Sequence, residues 1–533
     1  MGTTGIAIAD DRPNVLLITV DDLDRLETGV TSDNFYTPAL SALAAQGVTF
    51  TQGHVTSTVC TPSRYTLLTG RYASRSTHEF FLARYPQGTM AGPDFAVTLE
   101  EDRPNLARTL QAKGYRTGFV GKWHLSDHRM VRSPRLWPSF DMATYARDAD
   151  PRNPDVDAAV KANHRWWATR IQAFGFDTAD AIYVANPREL YNESLYHHNQ
   201  EWVTSAALDF LQDSDAGDKK RRPFFLSVNF TVPHGPSPKA KQGGKYIFAL
   251  DAPLDLGSAG VIERDLTSIQ GPRGSLIERV RERGLPDDAF FALWFDDSIA
   301  SLLAELERQD ERGNTLVVFI SDHGNSTTRS KASLYEPGTN VPFIVCWPDG
   351  TNKLGRTNGS LVANLDIVPT ILDAARVPLT SGMAVDGRSL LPILEDKAES
   401  VRDTLLLELG YARAVKHESW KYIAVRYPED VEAQIQAGER FPLHQSVVRR
   451  RGLIGDDAVL DRPLWFSHQQ LAYEASREWP NYFESDQLYD LKADPGETVN
   501  LADSEPEALA QMKAILTQEL LAFPNRPFGE FAE

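Results

Sequence analysis

Apolar residues along this chain gather in short unbroken runs, and several of these runs stop abruptly at polar, chemically capable side chains. Asn14–Val20 is the first, and its continuous hydrophobicity predicts a strand buried on both faces of a parallel sheet. It ends in Asp21-Asp22. Tyr115–Val120 gives way to Gly121-Lys122-Trp123-His124, Phe224–Phe230 runs towards Pro233-His234-Gly235, and Thr315–Ile320 ends in Ser321-Asp322-His323-Gly324. Helical patterns lie between them. Pro38–Gly47 and Asn105–Gly114 each close on a glycine, and Asp297–Arg308 places Ile299, Leu302, Leu303 and Leu306 on one face. Strands alternating with helices predict βαβ units, hence an α/β fold with a large, mostly parallel sheet flanked by helices. In open sheets of this kind a ligand sits outside the carboxyl ends of the strands. Asp21, Asp22, Lys122, His124, His234, Asp322 and His323 are therefore expected to share one pocket.

The pattern continues through a strand at Val341–Trp347 and a helix at Asn364–Ala375, with Pro369 in its first turn. Arg388–Leu394 closes this part, and a boundary is expected near residue 400, dividing a catalytic domain (1–400) from a C-terminal subdomain (401–533). Thr404–Leu409, Ala412–Val415 and Lys421–Val425 are short runs typical of an antiparallel sheet. Ser504 and Glu507 form a capping-box pattern before a terminal helix with Leu509, Met512, Leu516 and Leu520 on its apolar face. Arg132–Phe176 and Gly438–His468, the latter with Arg449-Arg450-Arg451 and Trp465, fit neither pattern. They read equally as loops shaping specificity and as variable surface loops.

Charge narrows the partners. The 533 residues carry a net charge of −18, which argues against a nucleic-acid ligand and requires that any anionic substrate be met by local arginines and lysines. With two cysteines, Cys60 and Cys346, there is no disulfide framework. No run approaches the ~20 apolar residues of a membrane span. Met1–Asp11 lacks the basic and apolar regions of a signal peptide, so the chain as written reads as cytoplasmic, or as periplasmic or secreted if a leader was removed.

The stretch Val59-Cys60-Thr61-Pro62-Ser63-Arg64 is where candidate chemistry concentrates. Thr61 suits an N-cap, Pro62 the first helical position and Gly70 the C′ position, which would leave Cys60 just before a helix N-terminus. That end favours negative charge, and Arg64 can point back at it, so the thiol would be reactive. A small buried core cysteine is the other reading. Asp21 and Asp22 pose a related question, because adjacent carboxylates at a buried strand end repel unless a cation neutralises them.

Cys60-Thr61-Pro62-Ser63-Arg64, followed by Leu67-Leu68-Thr69-Gly70-Arg71, resembles the formylglycine signature of type I sulfatases in the alkaline phosphatase superfamily. The resemblance runs on in order through Asn14–Asp22, Gly121–His124, Pro233–Gly235, Ser321–Gly324, Lys331 before Tyr335-Glu336, and Leu488–Leu491 with Asp494–Glu497 and Asn500-Leu501. It implies an alkaline phosphatase-like fold and a sulfuric-ester hydrolase, most naturally one acting on a sulfated carbohydrate. It further implies that a maturation enzyme oxidises Cys60 to formylglycine, whose hydrate is the nucleophile. One divalent cation is implied between Asp21, Asp22, Asp322, His323 and the Cys60-derived group: calcium, with manganese or magnesium also accommodated. His124 would be the base that regenerates the aldehyde, His234 and Lys331 would contact sulfate and help protonate the leaving oxygen, and Lys122 and Arg64 would neutralise charge. A phosphonate monoester or phosphodiester hydrolase of the same superfamily, and a binding protein whose Cys60 is never oxidised, are the rival readings. Two departures stand out. Many relatives carry Asp-Asn where this chain has Asp322-His323, and Glu336-Pro337-Gly338-Thr339 replaces the commoner Glu-Gly-Gly.

Overall fold

The computed structural model describes residues 12–126, 133–213, 222–325, 330–437, 475 and 478–523. The N-terminal residues read above for a leader, and the segment 438–468, lie outside these.

One eight-stranded sheet organises the larger part of the chain. In chain order its strands are β1 (Asn14–Asp21), β2 (Val48–Phe50), β3 (Arg116–Lys122), β4 (Thr178–Tyr183), β5 (Phe224–Pro233), β6 (Thr315–Ser321), β7 (Phe343–Cys346) and β8 (Arg356–Asn358). Their order in space is β8-β2-β7-β6-β1-β5-β3-β4. β1 lies between β6 and β5, parallel to both, with Val15 opposite Phe225 on one side and Leu316 on the other. β3 continues the parallel array beyond β5. β7 runs antiparallel to β6 and β2, so the sheet is mostly rather than wholly parallel.

Alternation along β1 shows why it needs apolar residues throughout. Val15 and Leu17 face one core with Leu67, Leu68, Leu106 and Leu110. Leu16, Ile18 and Val20 face another, with Val203, Leu211, Phe291 and Leu302. The helices lining these two cores are α1 (Pro38–Ala45), α2 (Cys60–Thr69), α3 (Leu106–Gln111), α4 (Pro154–Gln172), α5 (Gln200–Gln212), α6 (Phe290–Arg308) and α7 (Ile367–Ala374). Helices on both faces bury the whole of β1, the arrangement an unalternating apolar run demands.

A second sheet is antiparallel and four-stranded: β9 (Thr404–Leu409), β10 (Ala412–His417), β11 (Trp420–Val425) and β12 (Asp486–Asp490). The terminal helix α8 (Pro506–Leu520) packs Met512, Leu516 and Leu520 into its core.

Several local expectations need correction. α2 begins at Cys60, with Val59 in the N-cap position; Thr61 Oγ1 instead donates to the Asp94 carbonyl at 3.2 Å. Gly70 does close this helix, with φ 66°. α8 takes Glu505 as its N-cap, without a side-chain cap, and Ser504 Oγ turns back to Leu501. α6 starts at Phe290, seven residues earlier than its periodic face suggests, because Phe290–Phe295 are buried all round and show no stripe. Within Arg132–Phe176, α4 forms a 19-residue helix that leads into β4 at the sheet's edge.

Candidate active site

Each of the four neighbouring strands β6, β1, β5 and β3 delivers polar residues at or just beyond its carboxyl end, and α2 meets them there. Asp21 is the last residue of β1. Asp22 follows with φ 62°, a left-handed turn that aspartate tolerates better than most residues, and its N–H donates to Asp322 Oδ1 at 3.1 Å. His124, beyond β3, also has a left-handed backbone (φ 51°), and its N–H is held by the Val184 carbonyl at 2.9 Å. Such conformations persist only where surrounding contacts impose them, and here they turn side chains into the site. Gly324 closes the β6 end: a Cβ there would lie 1.9 Å from the Pro337 carbonyl oxygen.

The Cys60 sulfur is the centre of the cluster. Lys122 Nζ and His323 Nε2 each lie 3.3 Å from it, Lys331 Nζ lies 3.6 Å away, and Asp21 Oδ1 lies 3.7 Å away. Burial alone would raise the thiol pKa, but Lys122, Lys331 and His323 outweigh it and hold Cys60 well below the ordinary thiol range. Two ion pairs tie the lysines to the paired carboxylates: Lys122 to Asp21 at 2.6 Å and Lys331 to Asp22 at 2.8 Å. Arg64, one turn into α2, donates through Nε to Asp322 at 3.0 Å and through Nη1 to Asn229 and the Lys122 carbonyl.

His323 faces the same centre with its ring orientation fixed. Nδ1–H donates to the Gly324 carbonyl at 2.9 Å, which turns Nε2 towards Asp22 Oδ1 at 3.3 Å. Burial opposes its charged form, but Asp322 and Asp22 lift its pKa to about 9. Asp322 itself is pushed up to about 6 by burial, reinforced by Asp21 and opposed by His323 and Arg64. His234 stands at the rim, with Nδ1–H on the Gly235 carbonyl and Nε2 3.8 Å from Asp22 Oδ2.

All ten sequence-predicted site residues therefore converge on one place. Within it, ligand atoms of Asp21, Asp22, Cys60 and His323 lie within 4.8 Å of one another, close enough to share a cation. Asp322 is adjacent rather than central, its Oδ1 3.7 Å from His323 Nε2 and its other oxygen on Arg64. Sequence reasoning missed Asn186, which accepts from Lys122 Nζ, Glu189, whose Oε2 is 3.8 Å from His124 Nε2, and Asn229. Asn229 left a signal, a polar residue inside the apolar run Phe224–Phe230. Asn186-Pro187-Arg188-Glu189 left another, the spacing of a capping box.

The family model for sulfatases matches residues 13–377, which span every one of these groups. The chain belongs to the sulfatase family. Residues 324–434 also match the model of the N-sulphoglucosamine sulphohydrolase C-terminal region, so that likeness crosses from Gly324 into the second sheet. Among similar proteins, choline-sulfatase of Rhizobium meliloti is 26% identical over 77% of this chain and 78% of its own length. Human arylsulfatase A is 25% identical over 96% and 88%, and the N-acetylgalactosamine-6-O-sulfatase of Bacteroides thetaiotaomicron is 24% identical over 95% and 92%. A solved structure holding its substrate D-glucosamine-2-N,6-O-disulfate shares the fold with a TM-score of 0.58 at 17% identity, over 96% of this chain and 99% of the other. This sulfatase is a sulfuric-ester hydrolase with an α/β fold. Among the described residues, no helix is long and apolar enough to cross a membrane.

Proposed function

We propose that this sulfatase hydrolyses the sulfate ester of a sulfated carbohydrate, with position 60 as its nucleophile after oxidation to formylglycine. The observation that carries the reading is the convergence of Lys122, Lys331, His323 and Asp21 on the Cys60 sulfur from four separate segments. Carbohydrate is favoured because relatives and fold neighbours spanning almost the whole chain are named for amino-sugar sulfates.

The residues fit a divalent cation. Asp22 Oδ2 is buried without a hydrogen-bond partner, and the shared donor set is two carboxylates, one imidazole and position 60. With oxygen at position 60 this set is mostly hard, which favours calcium. Asp21, Asp22, His323 and the group at position 60 would hold the ion, with Asp322 at its edge. When bound, the cation and the oxidised side chain together supply a Lewis acid beside an oxygen nucleophile.

The chain's own residues do the rest. Lys122, Lys331 and Arg64 bring positive charge to a protein that is strongly acidic overall, so a sulfate group is attracted here and not to the general surface. Lys331 and His234 lie on the Asp22 side, where they would contact the sulfate and the leaving oxygen. His124, hydrogen-bonded to the position-60 side chain, is placed to take the proton from it when sulfate departs.

Mass spectrometry of the Cys60 peptide, from protein made with a maturation enzyme, should find the aldehyde. That protein should release sulfate from aryl sulfates faster than phosphate from matched phosphodiesters, and Cys60→Ala should release none while melting like the parent. An unconverted thiol, or faster phosphodiester cleavage, would overturn the reading.

A further inference from the structure

The lysine beside the nucleophile is held by a contact outside the set of expected site residues. An ammonium has three protons to donate. Those of Lys122 are taken by Asp21 Oδ2, by the Cys60 sulfur and by Asn186 Oδ1. Asn186 stands just beyond β4, at the head of the single 3-10 turn Pro187–Glu189. Glu189 folds back over that turn. Its Oε2 accepts the Asn186 backbone N–H at 3.1 Å, and the same oxygen lies 3.8 Å from His124 Nε2. Asn186 is 8% exposed and His124 2%. The β3 extension that carries Lys122 and His124 is pinned to the same segment, Trp123 N–H on the Tyr183 carbonyl and His124 N–H on that of Val184.

We propose that Asn186 and Glu189 are a positioning couple that fixes the Lys122 ammonium and the His124 ring against position 60. The inference rests on the sulfatase reading of the site. Its chemical content lies in the neutrality of Asn186. Lys122 already faces one carboxylate, Asp21, and a second at position 186 would cancel its attraction for a sulfate group. An amide oxygen fixes the same proton and leaves the charge in place. Glu189 acts one step back, holding the Asn186 main chain through a hydrogen bond that a neutral amide can also accept.

The couple therefore makes different predictions for different side chains. In converted protein assayed on an aryl sulfate, Asn186→Ala should lower kcat roughly ten- to hundredfold, the usual cost of losing an outer partner, with KM changed less than about threefold. Asn186→Asp, which keeps the acceptor but adds charge, should instead raise KM about tenfold, an electrostatic loss of ground-state anion binding. Glu189→Gln should stay within about threefold of the parent, and Glu189→Ala should follow Asn186→Ala. A second readout needs no turnover: in the unconverted cysteine protein, calorimetry with inorganic sulfate should show binding weakened about tenfold by Asn186→Asp and little changed by Asn186→Ala. Melting temperatures separate these effects from misfolding, and the isosteric Asn186→Asp keeps the test open if the alanine variant does not fold. Identical kinetics for the two Asn186 variants, parental rates for Glu189→Ala, or unaltered sulfate binding by Asn186→Asp would overturn the proposal. If the parent releases no sulfate from any ester, the functional reading fails instead, and the sulfate titration still decides this one.

Discussion

At Cys60, one atom sits in two environments at once. The side chain is fully buried, which disfavours a thiolate, yet two ammonium groups and an imidazole stand within 3.6 Å of the sulfur and favour one. A thiolate beside two carboxylates and an imidazole is a donor set that zinc accepts readily, whereas oxygen in place of sulfur turns the set towards calcium. Metal preference should therefore follow the chemical state of this residue. The unconverted protein should take zinc in preference to calcium, and converted protein should bind calcium appreciably where its precursor does not. Competition titrations on the two forms, read by calorimetry, check this; the same preference in both would mean that position 60 is not a ligand. Asp21, Asp22, Lys122, His124, His234, Asp322 and His323 were legible in the sequence because they follow apolar strands at their carboxyl ends, whereas Arg64 and Lys331 were reached through the Cys60 stretch and the family resemblance. Asn186, Glu189 and Asn229 left only weak signals, a capping-box spacing common in ordinary turns and one polar residue within an apolar strand, and only the third dimension brings them to Lys122, His124 and Arg64.

At the scale of elements, strands were easier to read than the helix ends between them. A buried strand has one requirement, unbroken hydrophobicity, and Asn14–Val20 or Thr315–Ile320 meets it without competition. Helix starts depend on partners distant in sequence, and α1 illustrates this. No side chain of its own caps it; its Ala39 and Leu40 N–H groups donate instead to Asp296 of α6, at 2.9 and 2.8 Å. Burial raises the Asp296 pKa to about 7, against those two hydrogen bonds. A carboxyl whose folded pKa exceeds its unfolded value near 3.8 holds its proton more tightly in the native state, so its contribution is greatest in acid and is lost as pH rises. Relative to Asp296→Asn, the parent should lose stability between about pH 4 and pH 7, with a slope of at most about 1.4 kcal/mol per pH unit. Urea unfolding of the two proteins across that range measures it. Parallel curves would show that the two N–H donors keep Asp296 ionised throughout.

At the scale of the whole molecule, a buried ionic network ties the antiparallel sheet to the helical turn Glu336–Thr339 between β6 and β7. Glu336, five residues after Lys331, receives Lys416 of β10 at 2.8 Å and Lys421 of β11 at 3.2 Å, and its backbone N–H donates to Glu497 Oε2 at 2.6 Å. Lys421 also pairs with Glu497 at 2.8 Å, and Lys416 reaches His54, six residues before Cys60, at 3.0 Å. The departure from the family's Glu-Gly-Gly is accommodated here. Pro337 occupies a first-turn position, where no N–H is needed, and Gly338 remains where a Cβ would lie 2.4 Å from the Ser330 carbonyl oxygen. Two lysines balance two glutamates, so the network is neutral, and its value lies in that balance rather than in any one pair. Lys416→Met would leave two buried carboxylates facing one ammonium and should cost about 3–5 kcal/mol. Adding Glu336→Gln restores one charge of each sign and should recover part of that loss, although it removes a second partner. Denaturant unfolding of the two single variants and the double variant checks this. If the losses simply add, each pair acts separately, and the C-terminal sheet is held to the Glu336–Thr339 turn by its apolar contacts rather than by charge balance.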